Sequence, residues 1–285
     1  MLAFCVDQDR NMSQRLDLYL KRIGFTGSPA PDLATLAALQ ERHLQAIPFE
    51  NLNPLLGLRV GLEEDTLTDK LLRNGRGGYC FEHNLLFLDM LREIGFTARG
   101  VTGRVYWNQP EGAQPARSHM LLIVTIDGEE YLSDVGFGGM TPTTPLKLND
   151  PAPQSTSLEP FQVTAHPDHY SLAVKLGEDW RLLYRFDLLK QWRVDFEMAN
   201  WYVCCHPDSK FVHNLMVVRT EPGKRHTLLN GQYALRYPDG RSEKTQIESA
   251  PALIELLETV FAINTDGLDR QALEAMLIKK QLVGG

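Results

Sequence analysis

The chain has 285 residues, of which 43% are hydrophobic and 23% charged, and a formal net charge of −7. This length exceeds what one hydrophobic core usually organises, so we expect two or three subdomains. The acidic balance argues against a nucleic-acid-binding protein, whose surface would carry an excess of positive charge.

The sequence also bears on where the protein works. No apolar stretch reaches the roughly 18 residues that a membrane span requires, and residues 1–7 lack the basic region and apolar core of a signal peptide. The four cysteines include no CxxC pair and are too sparse for a disulfide framework or structural zinc. We therefore expect a cytoplasmic protein with no membrane partner. The adjacent Cys204 and Cys205 should stay reduced, because a bridge between sequence neighbours is strained.

The first third of the chain has the periodicity of helices. Residues 1–13 show no clear period, and residues 47–52 form a predicted loop in which Glu50 and Asn51 tie down backbone amides. Apolar residues at helical spacing, ended by glycine or proline, predict several helices. These helices cover about residues 16–23, 33–44, 64–72 and 80–94.

The middle third changes to strand patterns. Val, Thr and Tyr alternate around a turn at Asp127 and Gly128, and a two-residue Asp-Gly loop is a strong signal for a β-hairpin. Further strand pairs make an antiparallel barrel or sandwich the expected architecture. The predicted strands cover residues 97–107, 118–126, 129–135, 161–165, 170–176 and 180–186.

The last third mixes both patterns. We predict a helix over residues 191–198, then a connection that contains Asn200, Trp201 and Tyr202. Short strands and two amphipathic helices follow. The strands cover residues 215–220, 227–229, 233–237 and 244–247, and the helices cover residues 251–261 and 268–280.

Cys80 lies at the predicted start of a helix, a position that favours a nucleophilic thiol. Cys80 follows Gly77 and Gly78, which allow a sharp turn, and it precedes the apolar run of a predicted helix. In the first turn of a helix, unpaired amides and the positive end of the dipole favour a thiolate and lower the pKa of a thiol. The plainer interpretation is an inert buried cysteine, since free cysteine is among the most buried residue types.

The predicted hairpin offers this thiol a base and an acid. With a two-residue loop, Ile126 pairs with Glu129 and Leu121 lies opposite Asp134. His119 then faces the same side as Asp134, close enough for an imidazole and a carboxylate to meet. Both strands are apolar on either side, so this histidine and carboxylate would otherwise be costly polar groups in a core.

Each of these residues alone has a plainer interpretation. His119 could be a satisfied core histidine, and Asp134 could bind backbone amides at a strand end. A metal site is disfavoured, because one thiol, one imidazole and one carboxylate are few ligands for zinc. Together with Cys80, the pair favours a catalytic cysteine with a histidine base and an acidic partner.

Motifs along most of the chain, from about Leu16 onward, resemble those of the arylamine N-acetyltransferases. Several motifs in the right order are more specific than any single one. They are RGGYCFEHN at residues 76–84, PFENL at 48–52, RSH at 117–119, DVGFG at 134–138, YRFD at 184–187, NWY at 200–202 and HPDSKF at 206–211. His83 departs from the pattern, because the family usually has an apolar residue there. Residues 1–11 extend beyond the usual start, which makes Met12 a candidate start.

The resemblance implies an α+β fold around a cysteine-proteinase-like catalytic core. Its expected parts are an N-terminal helical bundle at residues 1–95, a central antiparallel β-barrel at 96–200 and a C-terminal α/β lid at 201–285. It also implies acetyl-CoA as acyl donor without a metal, and an arylamine, arylhydrazine or N-hydroxyarylamine as acceptor in xenobiotic metabolism. The oligomeric state, homo-oligomers included, stays open.

The same resemblance implies roles for individual residues in a ping-pong cycle. By position, Cys80 is the acetyl-accepting nucleophile, His119 its base and Asp134 the group that orients the imidazole. The expected acceptor contacts are Ser118, Phe137 and Phe211, and the expected CoA contacts are Gly136, Gly138 and Gly139. The basic run at residues 224–226 is a candidate phosphate site, although a charge cluster beside a glycine is more often a solvated turn.

Two other functions stay open at this level. A papain-like or transglutaminase-like thiol hydrolase or amidase uses a cysteine, a histidine and a polar partner in the same order. A non-catalytic protein that binds CoA or aromatic ligands would keep the fold without the chemistry. Attack by water on an acyl-enzyme distinguishes a hydrolase from a transferase, which needs an amine.

Overall fold

The computed structural model describes residues 14–283, so the predictions for residues 1–13, with Cys5 and Met12, lie outside the described residues. Helices occupy both ends of the described chain and flank two antiparallel sheets. They are α1 (14–22), α2 (Leu33–Ala46), α3 (Leu52–Leu55), α4 (Glu64–Leu67), α5 (Cys80–Ile94), α6 (Arg193–Cys205), α7 (Lys210–His213), α8 (Ala250–Thr259) and α9 (Arg270–Lys279). A π-helix at Thr68–Arg73 directly follows α4.

The strands fall in the regions that the alternating patterns predict. They are β1 (Phe49–Glu50), β2 (Thr97–Val105), β3 (Arg117–Ile126), β4 (Glu129–Ser133), β5 (Leu146–Lys147), β6 (Phe161–Ala165), β7 (Tyr170–Leu176), β8 (Asp179–Phe186), β9 (Met216–Glu221), β10 (Lys224–Leu229), β11 (Gln232–Arg236) and β12 (Ser242–Gln246). The short β1 and β5 were not predicted, because each has only two residues, too few for an alternating pattern. The partner of β1 also lies far along the chain.

Seven strands form a barrel in the middle of the molecule, in the order β5-β4-β3-β2-β8-β7-β6. Gln154 brings the two edge strands together. Its backbone exchanges hydrogen bonds of 2.7 and 2.9 Å with Phe161 of β6, and its side-chain amide makes bonds of 2.7 and 2.9 Å with the backbone of Lys147 in β5. The barrel is therefore nearly closed.

The C-terminal sheet has the order β1-β9-β10-β11-β12 and packs against α8 and α9. Its first strand comes from the predicted loop at residues 47–52, where Phe49 pairs with Val218. That loop prediction was partly wrong, because two of its residues pair with a strand almost 170 positions later. Glu50 and Asn51 do bind backbone amides as predicted, those of Leu52 and Met216.

Helix α5 lies at the centre of the helical part. Residues 80–88 are all buried, since one side packs on the helical bundle and the other on β2 and β3. Gly95 ends the helix as predicted, with a left-handed φ of 107°. The α+β fold with a helical N-terminus, a barrel and a C-terminal sheet with helices is thus confirmed.

Helix α6 is longer than predicted. It runs on to Cys205, so the predicted connection at residues 200–202 was wrong. Its buried residues Phe196, Asn200, Val203 and Cys204 follow a helical period, but exposed aromatic side chains between them obscure that pattern in the sequence. Among residues 14–283, no helix is both long and apolar enough to cross a membrane.

Candidate active site

A buried ionic network holds the chain immediately before Cys80. Arg76 donates two hydrogen bonds of 2.9 and 2.6 Å to Oε1 of Glu50. Lys70 donates one of 2.6 Å to Glu82, whose other carboxylate oxygen accepts the backbone N–H of Tyr79 at 3.0 Å. Buried charges with such partners resist displacement, because removing one partner leaves the other uncompensated. The network therefore fixes the point at which α5 begins.

The glycines before Cys80 are needed for close contact. A Cβ on Gly77 would lie 2.0 Å from the carbonyl oxygen of Pro48, and one on Gly78 would lie 2.6 Å from Oε2 of Glu82. The carbonyl of Gly78 also accepts the backbone N–H of Glu50 at 2.7 Å. The predicted sharp turn is wrong, because neither glycine has a positive φ and Gly78 forms a parallel bridge with Phe49. Side chains are excluded here because this segment packs directly against Pro48 and Glu82.

Cys80 is the first residue of α5 and is 3% exposed. Its thiol lies 3.7 Å from the carbonyl oxygen of Ser118, the residue before His119. Cys80 and His119 line the same cavity, and the thiol is among the groups that raise the pKa of this histidine. A helix start and a hairpin from different parts of the sequence thus meet at one sulfur atom.

The hairpin has the predicted register. Ile126 pairs with Glu129 and Leu122 with Ser133, and both turn residues have the positive φ that a two-residue loop requires. Nε2 of His119 lies 2.7 Å from Oδ2 of Asp134, and both side chains are buried. The structure therefore brings together the imidazole and the carboxylate that sequence spacing places on one face.

Electrostatics in this buried pair favour opposite charges. Burial alone would lower the pKa of His119, but the Asp134 carboxylate and the nearby Cys80 outweigh burial and raise it to about 10. Burial would likewise raise the pKa of Asp134, but the imidazolium and several hydrogen bonds keep it below its ordinary value. At neutral pH the pair is an imidazolium and a carboxylate.

Two further side chains orient the carboxylate of Asp134. Asn84, one turn along α5 from Cys80, donates a bond of 3.1 Å to Oδ1, and Tyr184 of β8 donates one of 3.0 Å to Oδ2. The backbone N–H of Gly136 donates a third at 2.8 Å. Sequence reasoning gave Asn84 and Tyr184 no role, although both lie within motifs at residues 76–84 and 184–187.

A cavity of about 320 Å³ opens beside the thiol. Phe137 packs edge-on against the His119 ring, with ring centroids 5.1 Å apart. Phe211 also lines the cavity and packs near Phe49. Ser118 also lines this space. The predicted acceptor contacts therefore surround the same cavity, which can accept a flat aromatic molecule next to sulfur.

The three glycines after Asp134 differ in their surroundings. A Cβ on Gly136 would lie 2.7 Å from the Cα of Cys80, so this glycine permits close packing of the loop on α5. Gly138 has a φ of 87° and packs against the Phe49 ring. Beside Gly139, a Cβ would have no atom of the described residues within 4 Å, and this glycine lines the cavity.

The basic run at residues 224–226 is not a solvated turn. It forms the start of β10, and Arg225 is fully buried. Its guanidinium donates to Glu159 at 2.9 Å and to the carbonyls of Gly138 and Thr141 at 3.3 and 3.1 Å. Arg225 therefore binds the glycine loop and Glu159. Its guanidinium is not free to bind a phosphate, as the sequence prediction required.

Comparison with known proteins places the chain in a family. A family model described as N-acetyltransferase matches residues 32–270. An arylamine N-acetyltransferase of Mycolicibacterium smegmatis is 39% identical over 93% of this chain and 97% of the relative. An arylamine N-acetyltransferase / N-hydroxyarylamine O-acetyltransferase of Salmonella typhimurium is 36% identical over 93% of this chain and 95% of its own length.

Solved structures agree with these sequence matches. The structure of Mycobacterium marinum arylamine N-acetyltransferase in complex with CoA has a TM-score of 0.89 at 40% identity, over 93% of this chain and 98% of that one. The sequence identity, the coverage and the TM-score are thus all far above the values that unrelated proteins give. The chain belongs to the arylamine N-acetyltransferase family of acyltransferase enzymes.

Proposed function

We propose that the protein moves an acetyl group from acetyl-CoA to an aromatic amine through a thioester on Cys80. The main support is the charged pair beside the thiol, with His119 and Asp134 2.7 Å apart and the pKa of His119 raised to about 10. An imidazolium next to a thiol favours the thiolate, which is the nucleophilic form. The family name identifies the acceptor class.

In the first half of the cycle, the Cys80 thiolate attacks the thioester carbonyl of acetyl-CoA. First-turn amides of α5 are the proposed donors to the resulting oxyanion, because the start of a helix has N–H groups without intrahelical partners. The carbon–sulfur bond to CoA then breaks, and the His119 imidazolium gives its proton to the leaving thiolate. One thioester replaces another, so the step changes bond energy little.

In the second half, an amine enters the emptied cavity and attacks the acetyl-Cys80 carbonyl. The neutral His119 accepts the proton that the amine nitrogen loses, and Cys80 departs as a thiolate beside the restored imidazolium. Asp134 stays ionised throughout and stabilises that imidazolium. The two substrates use one site in turn, which gives ping-pong kinetics.

The cavity wall supports an aromatic acceptor. Phe137 and Phe211 present ring faces and edges to a space next to Cys80, and Phe49 lies beside Phe211. Offset or edge-on contacts with such rings favour a planar aromatic amine over an aliphatic one. Arylhydrazines and N-hydroxyarylamines share this shape and are proposed as further acceptors; the Salmonella relative is named for the latter class.

The donor would enter beside Gly139. The open space at this glycine can accept the narrow pantetheine arm, whereas Gly136 and Gly138 shape the loop. Lys210 and Arg236 also line the cavity, and their positive charges suit the phosphates of CoA. The Mycobacterium marinum relative has been solved with CoA, which supports the same donor here.

Intact-mass spectrometry after brief incubation with acetyl-CoA tests this proposal. We expect one acetyl group on the wild type, its loss when 4-aminobenzoate is added, and no acetyl group on Cys80→Ser. The matched variant Cys205→Ser changes an exposed thiol and should be acetylated as the wild type is.

Each other outcome points to a different function. An acetyl group that disappears at the same rate without any amine would identify a thiol hydrolase. A protein that binds acetyl-CoA but never gains an acetyl group would be a binding protein. Normal turnover by Cys80→Ser would remove the proposed nucleophile.

A further inference from the structure

Two adjacent thiols lie at the end of α6, outside the catalytic cavity. Sγ of Cys204 and Sγ of Cys205 are 3.0 Å apart, and both are free thiols. The side chains of neighbouring helical residues usually diverge by about 100°. Here the helix ends at Cys205, and both thiols turn towards each other. The pair is thus already arranged for one atom to bind both sulfurs.

The two thiols differ in their environment. Cys204 is 5% exposed and packs in the same core as Tyr79 and Cys80, whereas Cys205 is exposed to solvent. Burial, followed by the contact with Cys205, raises the pKa of Cys204 to about 12. Cys204 is therefore a weak nucleophile towards alkylating reagents. It is nevertheless close enough to form a second bond to an atom that has first bound Cys205.

Because the pair offers only two sulfur ligands, it suits an atom that needs two sulfur atoms to complete its coordination. Thiolates prefer soft, polarisable acceptors, and zinc would need four ligands where this pair offers two. A monosubstituted trivalent arsenical keeps its carbon substituent and needs two sulfur atoms to complete its coordination. A hydrated arsenical of this type also reaches Cys205 from solvent without entering the active-site cavity.

We propose that Cys204 and Cys205 form a chelating site for monosubstituted trivalent arsenicals. Two As–S bonds form and two As–O bonds of the dihydroxy arsenical break, and each thiol proton leaves with one oxygen as water. Arsenic stays trivalent and both sulfurs keep their oxidation state, so the step needs no oxidant or reductant. Neither thiol has a role in the proposed acetyl transfer.

The position of the site predicts an effect on the active site. One turn before Cys204, Asn200 accepts the hydroxyl hydrogen bond of Tyr79, the residue that precedes the nucleophile. Just after the pair, Ser209 donates to the carbonyl of Val203 at 2.5 Å and accepts the N–H of Phe211 at 3.3 Å. A ring that distorts the end of α6 would therefore disturb Tyr79, next to Cys80, and Phe211, which lines the cavity.

The test uses phenylarsine oxide on the full chain reduced with a phosphine, which contributes no competing thiol. Intact mass should show one phenylarsenic group that survives excess glutathione and is removed by ethanedithiol. For Cys204→Ser and Cys205→Ser, the glutathione concentration that removes the group should be at least about 100-fold lower than for the wild type. The reason is that a second linked bond adds avidity of that order. Wild-type acetyl transfer should fall with the adduct and recover with ethanedithiol.

Matched single-thiol variants make the result decisive. Cys5→Ser and Cys80→Ser should keep the glutathione-resistant adduct, because neither belongs to the pair. Circular dichroism checks that Cys205→Ser, which changes an exposed side chain, is folded. The proposal is overturned if folded Cys205→Ser retains the adduct as the wild type does, or if glutathione strips it from the wild type.

Discussion

At the scale of single residues, the charge of His119 depends on one carboxylate. Burial lowers the pKa of this imidazole, and Asp134 is the main group that reverses the effect. Asn84 and Tyr184 in turn orient that carboxylate. The protonation state of the proposed base is therefore decided by neighbours that do not touch the cavity centre.

Replacing Asp134 by asparagine tests this dependence. Without the carboxylate, the main group that opposes burial is gone, so the pKa of His119 falls from about 10 and the imidazolium is less stable. We expect turnover to drop by about 10³–10⁴-fold, as for an Asp→Asn change in a serine protease triad. In the wild type, the rate at which iodoacetamide alkylates Cys80 should change near pH 10, where His119 loses its proton. This change should be absent from the pH profile of Asp134→Asn.

A surface pair provides the control for this variant. Asp168 lies 2.8 Å from His169 with its side chain 86% exposed. Asp168→Asn removes a similar contact away from the site and should change neither the turnover nor the alkylation profile. Unchanged alkylation of Asp134→Asn across the pH range would rule out this carboxylate as the source of the charged imidazole.

His83 belongs to a buried chain of hydrogen bonds that reaches Gly78, two residues before the proposed nucleophile. Its Nε2 lies 3.0 Å from the carbonyl of Gly78, its Nδ1 lies 2.8 Å from Nε2 of His43, and Nδ1 of His43 lies 3.1 Å from the Tyr19 hydroxyl. A carbonyl can only accept, so Nε2–H of His83 donates and its Nδ1 accepts from His43. Nδ1 of His43 then accepts from Tyr19. This assignment needs both imidazoles neutral.

These two histidines should make the protein sensitive to acid. Burial lowers the pKa of His83 to about 4 and that of His43 well below its ordinary value, whereas the unfolded chain takes up protons near pH 6.5. A lowered native pKa contributes stability that is present above pH 6.5. That contribution is lost as the pH falls towards 4, at about 1.4 kcal/mol per pH unit for each histidine.

His83→Leu separates the two effects of this residue. At pH 7.5 the free energy of unfolding should fall by about 1–3 kcal/mol, because Nε2–H of His43 loses its acceptor. Between pH 6.5 and 4.5 its decline with pH should become shallower by about 1.4 kcal/mol per pH unit. Urea unfolding at pH 7.5, 6.0 and 5.0 measures both. His166→Asn, at an exposed histidine, should keep the wild-type slope, and an unchanged slope in His83→Leu would contradict the assignment.

At the scale of elements, the loop after β4 has one glycine that has no room for a side chain and one that does. Gly136→Ala would push a methyl group into the backbone of Cys80, 2.7 Å away, so it should lower the unfolding midpoint and slow acetylation of Cys80. Gly139→Ala faces open space among the described residues and should leave stability unchanged. Its expected effect is a higher KM for acetyl-CoA with an unchanged KM for the amine.

Thermal unfolding and two-substrate kinetics distinguish these outcomes. Equal stability of Gly136→Ala and the wild type would show that the loop does not need close contact with α5. An unchanged KM for acetyl-CoA in Gly139→Ala would remove this glycine from the proposed donor path.

The elements that were predicted well depend on local information. The hairpin register follows from the Asp127 and Gly128 turn, so the meeting of His119 and Asp134 could be predicted from spacing alone. Elements that depend on distant partners could not be predicted. Strand β1 exists because β9 pairs with it, and the neighbours of Arg225 come from segments more than 60 residues away.

At the scale of the whole molecule, Arg225 connects the C-terminal sheet with the segment just before β6 of the barrel. It pairs with Glu159, and both groups are buried. Arg225→Met should lower the free energy of unfolding by about 3–5 kcal/mol, because Glu159 is left as an uncompensated buried charge. The double variant Arg225→Met with Glu159→Leu should recover more than half of this loss.

Urea unfolding of the wild type, both single variants and the double variant completes this cycle. Arg241→Met breaks an exposed ion pair with Asp239 and should behave as the wild type does. Additive effects of the two buried substitutions would show that the charges do not interact. The predicted subdomain boundaries at residues 95 and 200 stay predictions.

The order of the functional groups along the chain also has a consequence for synthesis. The ribosome releases Cys80 first, His119 and Asp134 later, and Arg225 last. A nascent chain that ends before residue 134 has a thiol without its charged imidazole, so cellular acetyl-CoA should leave such a fragment unmodified. We therefore expect the proposed reactivity of Cys80 to appear only after Asp134 has been translated and has paired with His119.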